Sequence, residues 1–223
     1  MRAALVPIRS VVGAKKRLAS CLTLDERREL AVAMLADMVG ALAASESLER
    51  VVVVSPDRAL LERAGALGAD ILLEPEAAGL NHAVTWASRT LEAEGVTRLL
   101  TIPGDVPMLE PADVDRLLRT DAHDHPVVLV PSASGTGTNG LLTSPPTCIT
   151  SRFEGDSLAA HIGACRRAGI EALVLDLPSF ALDIDTPADL ERLADRGGDR
   201  RAARLGVTAL DFVRSRLRPP PSP

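Results

Sequence analysis

Leu99-Leu100-Thr101-Ile102-Pro103-Gly104-Asp105-Val106-Pro107-Met108 sets a short aliphatic run directly against a Pro/Gly turn that carries one carboxylate. The run is too short for a helix and the turn ends it, so Leu99 to Ile102 reads as a buried strand. Pro111 to Thr120 follows with a helical pattern, giving strand, turn and helix in succession. The same succession lies on both sides. Ala3 to Ile8, Val51 to Ser55, Ile71 to Leu73, Val127 to Val130 and Leu173 to Leu175 read as further strands with helical periods between them. This alternation predicts an α/β protein, a three-layer α/β/α sandwich built on a mostly parallel sheet with right-handed crossovers.

The helix boundaries carry their own chemistry. Thr23 and Glu26 have the spacing of a capping box, and Leu30, Met34, Leu35, Met38 and Leu42 follow on one face, predicting a helix from Leu24 to Ala44. Ser55-Pro56-Asp57 reads as a capping hydroxyl with Pro at the first helical position, and Thr186-Pro187-Ala188-Asp189 repeats it. Asn81 to Glu94 is a further crossover helix. Pro131 to Pro146 breaks the rhythm with Ser, Gly, Thr and Pro, and holds one short strand, Asn139 to Thr143. Residues 1–195 read as one domain, and 196–223 as an Arg/Pro-rich appendage with a helix from Val207 to Leu217 and a fraying end.

Composition narrows the partners. Aromatics make up 2% of the 223 residues, so the interior is built from Ala, Val, Leu and Ile. A net charge of −5 with so few rings to stack on bases argues against a nucleic-acid-coating surface. No run approaches the roughly 20 apolar residues of a membrane span. Met1 to Pro7 is too short for a signal peptide, so a cytoplasmic location without a membrane partner is expected. Cys21, Cys148 and Cys165 are scattered, suggesting neither a disulfide framework nor a zinc site. Of 25 basic residues, 23 are Arg; the two lysines, Lys15 and Lys16, are adjacent.

In an open parallel sheet ligands bind beyond the carboxyl ends of the strands. After the first strand, Arg9, Lys15, Lys16 and Arg17 surround Gly13, and cations with loose backbone amides suit a polyphosphate. Asp105 stands on its stiff turn as a magnesium ligand would. Asp183 and Asp185 are two apart in an extended stretch, so both side chains point one way and repel unless a cation lies beside them. Helix capping accounts for Asp185 alone, whereas a metal shared with Asp105 accounts for both. The polar loop Ser134 to Gly140 and the segment Phe153 to Ser157 offer neutral donors that can approach an anion. His82, His123, His125 and His161 form no triad or ligand spacing, and His161 reads as a helix-surface residue.

In order along the chain, Val6-Pro7-Ile8-Arg9, Ala14-Lys15-Lys16-Arg17-Leu18-Ala19, Gly79-Leu80-Asn81, Pro103 to Pro107, Gly135 to Gly140, Phe153 with Ser157 and His161, and Asp183 to Pro187 resemble a known set. It is that of the phospholactate guanylyltransferase family of coenzyme F-420 biosynthesis. The resemblance spans positions 6 to about 190 and implies the nucleotide-diphospho-sugar transferase (glycosyltransferase-A-like) fold. It further implies transfer of GMP from GTP to the phosphate of phosphoenolpyruvate, 2-phospholactate or 3-phosphoglycerate, with release of pyrophosphate. By that resemblance Lys15, Arg17 and Asp105 are catalytic, and Arg9, Lys15, Arg17, Gly79, Leu80, Asn81, Pro103 and Gly104 bind the nucleotide. Guanine would be read by backbone and amide groups near Asn81, with little ring stacking. Asp105, Asp183 and Asp185 would hold Mg2+, while Thr138, Gly155 and Ser157 would contact the acceptor acid. A hand-off to a downstream transferase is expected from the reactivity of the mixed diester.

Two residues depart from the family pattern. Arg9 stands where the family commonly has Lys, and Glu154 follows Phe153 where it usually has Gly, placing a carboxylate where it would repel an anionic acceptor. The alternatives are another nucleotidyltransferase of this fold, activating a sugar phosphate or loading a molybdenum cofactor, or a catalytically silent nucleotide-binding regulator. The first usually opens with a Gly-rich loop that Gly13 alone hardly matches. The three acids speak against the second.

Overall fold

Strand alternation in this chain buries both faces of one central sheet. The computed structural model describes residues 1–9 and 15–207. Seven strands, β1 (Arg2–Pro7), β2 (Arg50–Ser55), β3 (Asp70–Leu73), β4 (Arg98–Thr101), β5 (Val127–Pro131), β6 (Thr138–Thr143) and β7 (Leu173–Val174), lie in the order β3-β2-β1-β4-β6-β5-β7. All run parallel except β6, which is antiparallel to both β4 and β5.

Period-two alternation sends Ala4 and Val6 of β1 to one side and Ala3 and Leu5 to the other. The first side is covered by α1 (Leu24–Ala43), α2 (Arg58–Ala66) and α4 (Pro111–Leu118). The second is covered by α3 (Leu80–Ala93) and α5 (Ser157–Arg167). The three-layer sandwich expected from the sequence is the architecture found. The α1 capping box is formed as read, and Thr186 caps α6 (Pro187–Arg196) with Pro187 in its first turn.

The Ser55-Pro56-Asp57 reading needs correction. Ser55 is the last residue of β2, and its hydroxyl accepts from the Asp57 N–H, while Asp57 itself caps α2 by accepting from the Leu60 N–H. A short side chain at a strand end satisfied the turn instead of the helix. Of the helix expected from Val207 to Leu217, all but Val207 lies outside the described residues. No helix among the described residues is long and apolar enough to cross a membrane.

A smaller cluster holds the loops beyond the sheet. Leu18 of the 3-10 turn Lys16–Ser20, Leu30 and Met34 of α1, Ile184, and Leu190 and Leu193 of α6 pack together with Ala202 and Ala203. The backbone N–H groups of Arg201 and Ala202 donate to Asp37, and Arg200 pairs with Glu110, so the described start of the C-terminal segment is seated on α1 and on the turn before α4.

Phe180 links this frame to the loop that follows it. Its ring is fully buried against Gly140 of β6, where a Cβ would come within 3.1 Å of the ring, and its carbonyl accepts from Asn139 Nδ2 at 2.8 Å. Phe180→Ala should therefore destabilise the protein by about 3–5 kcal/mol in urea unfolding with an unchanged m-value. A loss below about 1 kcal/mol would show that the site can collapse around the missing ring.

Candidate functional site

The ends of β1 and β4 lie side by side, with the Ile102 N–H donating to the Leu5 carbonyl. Gly104 lets the two following turns touch. A Cβ there would stand 2.4 Å from Ile8 Cγ1 and 3.3 Å from the Pro7 carbonyl, space that only glycine leaves. The next residue, Asp105, accepts through its carbonyl from the Ile184 N–H at 3.1 Å, which clamps the 183–185 segment beside it.

Lys15 stands at the start of the 3-10 turn Lys16–Ser20. Its backbone is left-handed (φ 53°, ψ 46°), and its carbonyl accepts from the Leu18 N–H at the start of the 3-10 turn. The side chain is buried, with Nζ 2.7 Å from Asp105 Oδ2 and 3.0 Å from Asp185 Oδ1. Burial pulls the Lys15 ammonium down, but the charges and hydrogen bonds of Asp105 and Asp185 outweigh it and hold the group above the ordinary lysine range. Arg17 stands 3.9 Å from Asp185 Oδ2. Asp183 accepts from Asn139 Nδ2 at 3.3 Å, and burial pushes its carboxyl up, with the charges of Asp105 and Asp185 adding to the effect and the Asn139 bond opposing it.

No three metal-ligating side chains gather round one point among the described residues. Magnesium does not need that, because it is commonly held by one or two carboxylates with phosphate oxygens and waters completing its shell. Asp105 and Asp185 already converge on one cationic centre, the Lys15 ammonium, and Asp183 lies nearby with its charge poorly solvated. The donor set fits such an ion.

Two hollows meet at this cluster. The first, about 750 Å³ and within the size range of small-molecule sites, is lined by Arg9, Lys15, Arg17, Gly79, Leu80, Pro103 and Gly104. Gly79 has φ +106° at the start of α3, beside the Arg9 guanidinium. Asn81 is absent from this lining. Its Oδ1 accepts from the Phe153 N–H at 2.7 Å and its Nδ2 donates to Glu154 at 3.3 Å, so the amide ties the 153–154 loop to α3. Glu154 also pairs with Arg9 at 2.6 Å. The two departures from the family pattern are thus partners, and the Glu154 charge is balanced by Arg9 and lines neither hollow.

The second hollow is lined by Thr138, Gly155 and Ser157 together with Asp105, Asp183 and Asp185. Ser157 opens α5, and its Oγ accepts from the Thr138 N–H at 2.8 Å. His161, expected on a helix surface, is fully buried. Ser157, His161, Ala164 and Cys165 form the buried face of α5, and that four-then-three spacing was the signal available in the sequence. His161 Nε2 is 2.9 Å from the Arg152 N–H, which can only donate, so Nε2 accepts and the neutral ring carries its proton on Nδ1. Nδ1–H then donates to Thr138 Oγ1 at 3.0 Å. Thr138 and Ser157 both accept from within the protein, which leaves each hydroxyl proton free to point into the hollow.

Burial lowers the His161 pKa from 6.5 to about 4. The unfolded chain therefore binds the extra proton first, so the contribution of His161 is full above pH 6.5 and is lost as pH falls towards 4. Relative to His161→Asn, the wild-type unfolding free energy should drop by about 3 kcal/mol between pH 7 and pH 4. Urea midpoints of both proteins across that range check it; a constant difference would contradict the buried neutral ring.

The family model for guanylyl transferases of the CofC-like type matches residues 1–212. A phosphoenolpyruvate guanylyltransferase of Conexibacter woesei is 40% identical over 199 residues, 89% of each chain. A 3-phospho-D-glycerate guanylyltransferase of Phenylobacterium zucineum is 35% identical over 98% of this chain and 99% of its own. Among solved structures, a cytidylyltransferase from Leptospira borgpetersenii superposes with a TM-score of 0.63 at 14% identity, over 96% of this chain and 94% of that one. A protein from Desulfovibrio desulfuricans assigned to the nucleotide-diphospho-sugar transferases superposes with a TM-score of 0.78 at 18% identity, over 96% and 97%. These two likenesses show the nucleotide-diphospho-sugar transferase fold. On its sequence, the chain belongs to the CofC-like guanylyl transferase family.

Proposed function

We propose that this protein moves GMP from GTP to the phosphate of phosphoenolpyruvate or a similarly small phosphorylated acid, releasing pyrophosphate, as a step in coenzyme F-420 biosynthesis. One observation carries the reading: Arg17, Asp105 and Asp185 line both hollows, so the charged cluster forms the wall between two binding spaces. A donor triphosphate in one and an acceptor phosphate in the other would meet at that wall. Phosphoenolpyruvate is the acceptor named for the relative from Conexibacter woesei and for one from Rubrobacter xylanophilus at 40% identity.

An acceptor phosphate is already ionised at neutral pH, so the transfer needs no general base. It needs two anions brought together and the charge on the leaving pyrophosphate neutralised. Lys15 and Arg17 provide that positive charge on the nucleotide side, with Gly79, Leu80, Pro103, Gly104 and the Glu154-paired Arg9 shaping the space around it. Mg2+, when bound, would supply further neutralisation at the phosphates, with Asp105 and Asp185 as ligands and Asp183 beside them. On the acceptor side Thr138 and Ser157 offer hydroxyl protons to the anionic acid, and Gly155 admits it closely at φ +68°. His161 fixes the Thr138 hydroxyl as a donor towards the acid.

Incubation with GTP, Mg2+ and each of phosphoenolpyruvate, 2-phospholactate and 3-phosphoglycerate, followed by mass spectrometry, should yield a guanylylated acid, with phosphoenolpyruvate the best acceptor. Preference for CTP or UTP would contradict the proposal. Asp105→Asn should slow pyrophosphate release by about 100-fold or more while keeping the wild-type circular dichroism spectrum. Undiminished release would remove Asp105 from the reaction.

A further inference from the structure

Glu74 is an unexplained cost in the fold. It follows β3 and extends that pairing by one bond, its N–H donating to the Ser55 carbonyl at 3.0 Å. The side chain is only 4% exposed, yet Oε1 is the one buried side-chain nitrogen or oxygen among the described residues that has no hydrogen-bond partner. Nδ1 of the half-exposed His82 stands 3.5 Å from that same oxygen, an ion pair when the ring is protonated but not a hydrogen bond. Carboxylate oxygens are rarely buried without a donor, and an orphan of this kind calls for a missing partner.

Its position says what that partner is. Glu74 lines the first hollow, the one that holds Lys15 and Arg17, in the company of Pro7, Ile8, Pro56 and Leu80. Apolar side chains suit the faces of a flat heterocycle, and the cations suit a phosphate chain. Between them the carboxylate can meet only an edge that donates. Guanine alone among the four common bases presents two adjacent donors, N1–H and the 2-amino group, at the spacing of two carboxylate oxygens. Adenine and cytosine place an acceptor at the corresponding ring nitrogen, and uracil flanks one donor with two carbonyls. The Asn81 amide, one of the groups expected near the base, is committed to Phe153 and Glu154.

We propose that Glu74 is the guanine-reading residue, accepting from N1–H and the 2-amino group of the bound nucleotide. This rests on the GTP reading above and adds the side chain that sets base choice. Paired charge-assisted bonds to a buried carboxylate discriminate strongly, because a wrong base leaves the acceptor unpaired.

Inosine triphosphate, which is GTP without its 2-amino group, isolates the contact. Wild type should favour GTP over inosine triphosphate in kcat/KM by about 10-fold or more. Glu74→Gln, which replaces one acceptor with a donor, should lower kcat/KM for GTP by about 10–100-fold and shrink that preference to near unity. Glu74→Asp, which withdraws the carboxylate by one methylene, should fall between. Glu74→Gln, which keeps the side-chain volume and loses no hydrogen bond at Oε1, should melt close to wild type in the absence of nucleotide, whereas Glu74→Asp should melt lower because it removes a buried methylene. A wild-type preference retained in Glu74→Gln would overturn the assignment. Were wild type inactive with every acid, the reaction proposed above would fall, and calorimetric titration with GTP and inosine triphosphate would still decide Glu74: equal affinities in wild type would overturn it.

Discussion

A single ammonium group, Lys15 Nζ, fastens three distant parts of the chain by lying 2.7 Å from Asp105 and 3.0 Å from Asp185. The two carboxylates come from the turn after β4 and the approach to α6, and they can share a small space only with a cation between them. Because Asp105 and Asp185 remain partly exposed, solvent screens the pairs and removing one partner costs less than in a fully buried cluster. The neighbouring features serve that junction. Gly104 lets the β4 turn close on Ile8, and Ile184 is clamped to the Asp105 carbonyl. The parallel order of β1 and β4 brings their carboxyl ends together in the first place.

The junction also suggests how binding and chemistry are coupled. In the proposed reaction a polyphosphate arriving with a divalent cation would offer Lys15 new acceptors and the two acids a new cation, so each ion-pair partner given up would be replaced by another. In the second hollow, the proposed acceptor side, neutral donors are set in place by internal bonds, from the Arg152 N–H through His161 to Thr138 and from the Thr138 N–H to Ser157. Donors fixed beforehand need little reorganisation when an anion arrives.

Much of the frame could be read from local pattern. The strands, the α1 capping box and the Thr186-Pro187 start of α6 were legible because each depends on residues a few positions apart. The reversal of β6 was not, since alternation marks a strand without giving its direction. Asp105, Asp183, Asp185 and Lys15 were singled out by their places at element ends, and the structure brings them together. The pairing of Arg9 with Glu154 joins positions 145 apart, so each looked like an isolated departure. His161 was misplaced because a polar residue on a short helix was assigned to solvent. Glu74 drew no notice, since an acid between a strand and Pro75 reads as a turn residue until its burial is seen.

In the proposed transfer the ammonium joining Asp105 and Asp185 is the group that would meet the nucleotide phosphates. The most direct measurement is the rate of pyrophosphate release by Lys15→Met with GTP, Mg2+ and phosphoenolpyruvate, taken alongside its circular dichroism spectrum. A fall of about 100-fold or more in a folded protein is the predicted result. A folded Lys15→Met that works at the wild-type rate would contradict it.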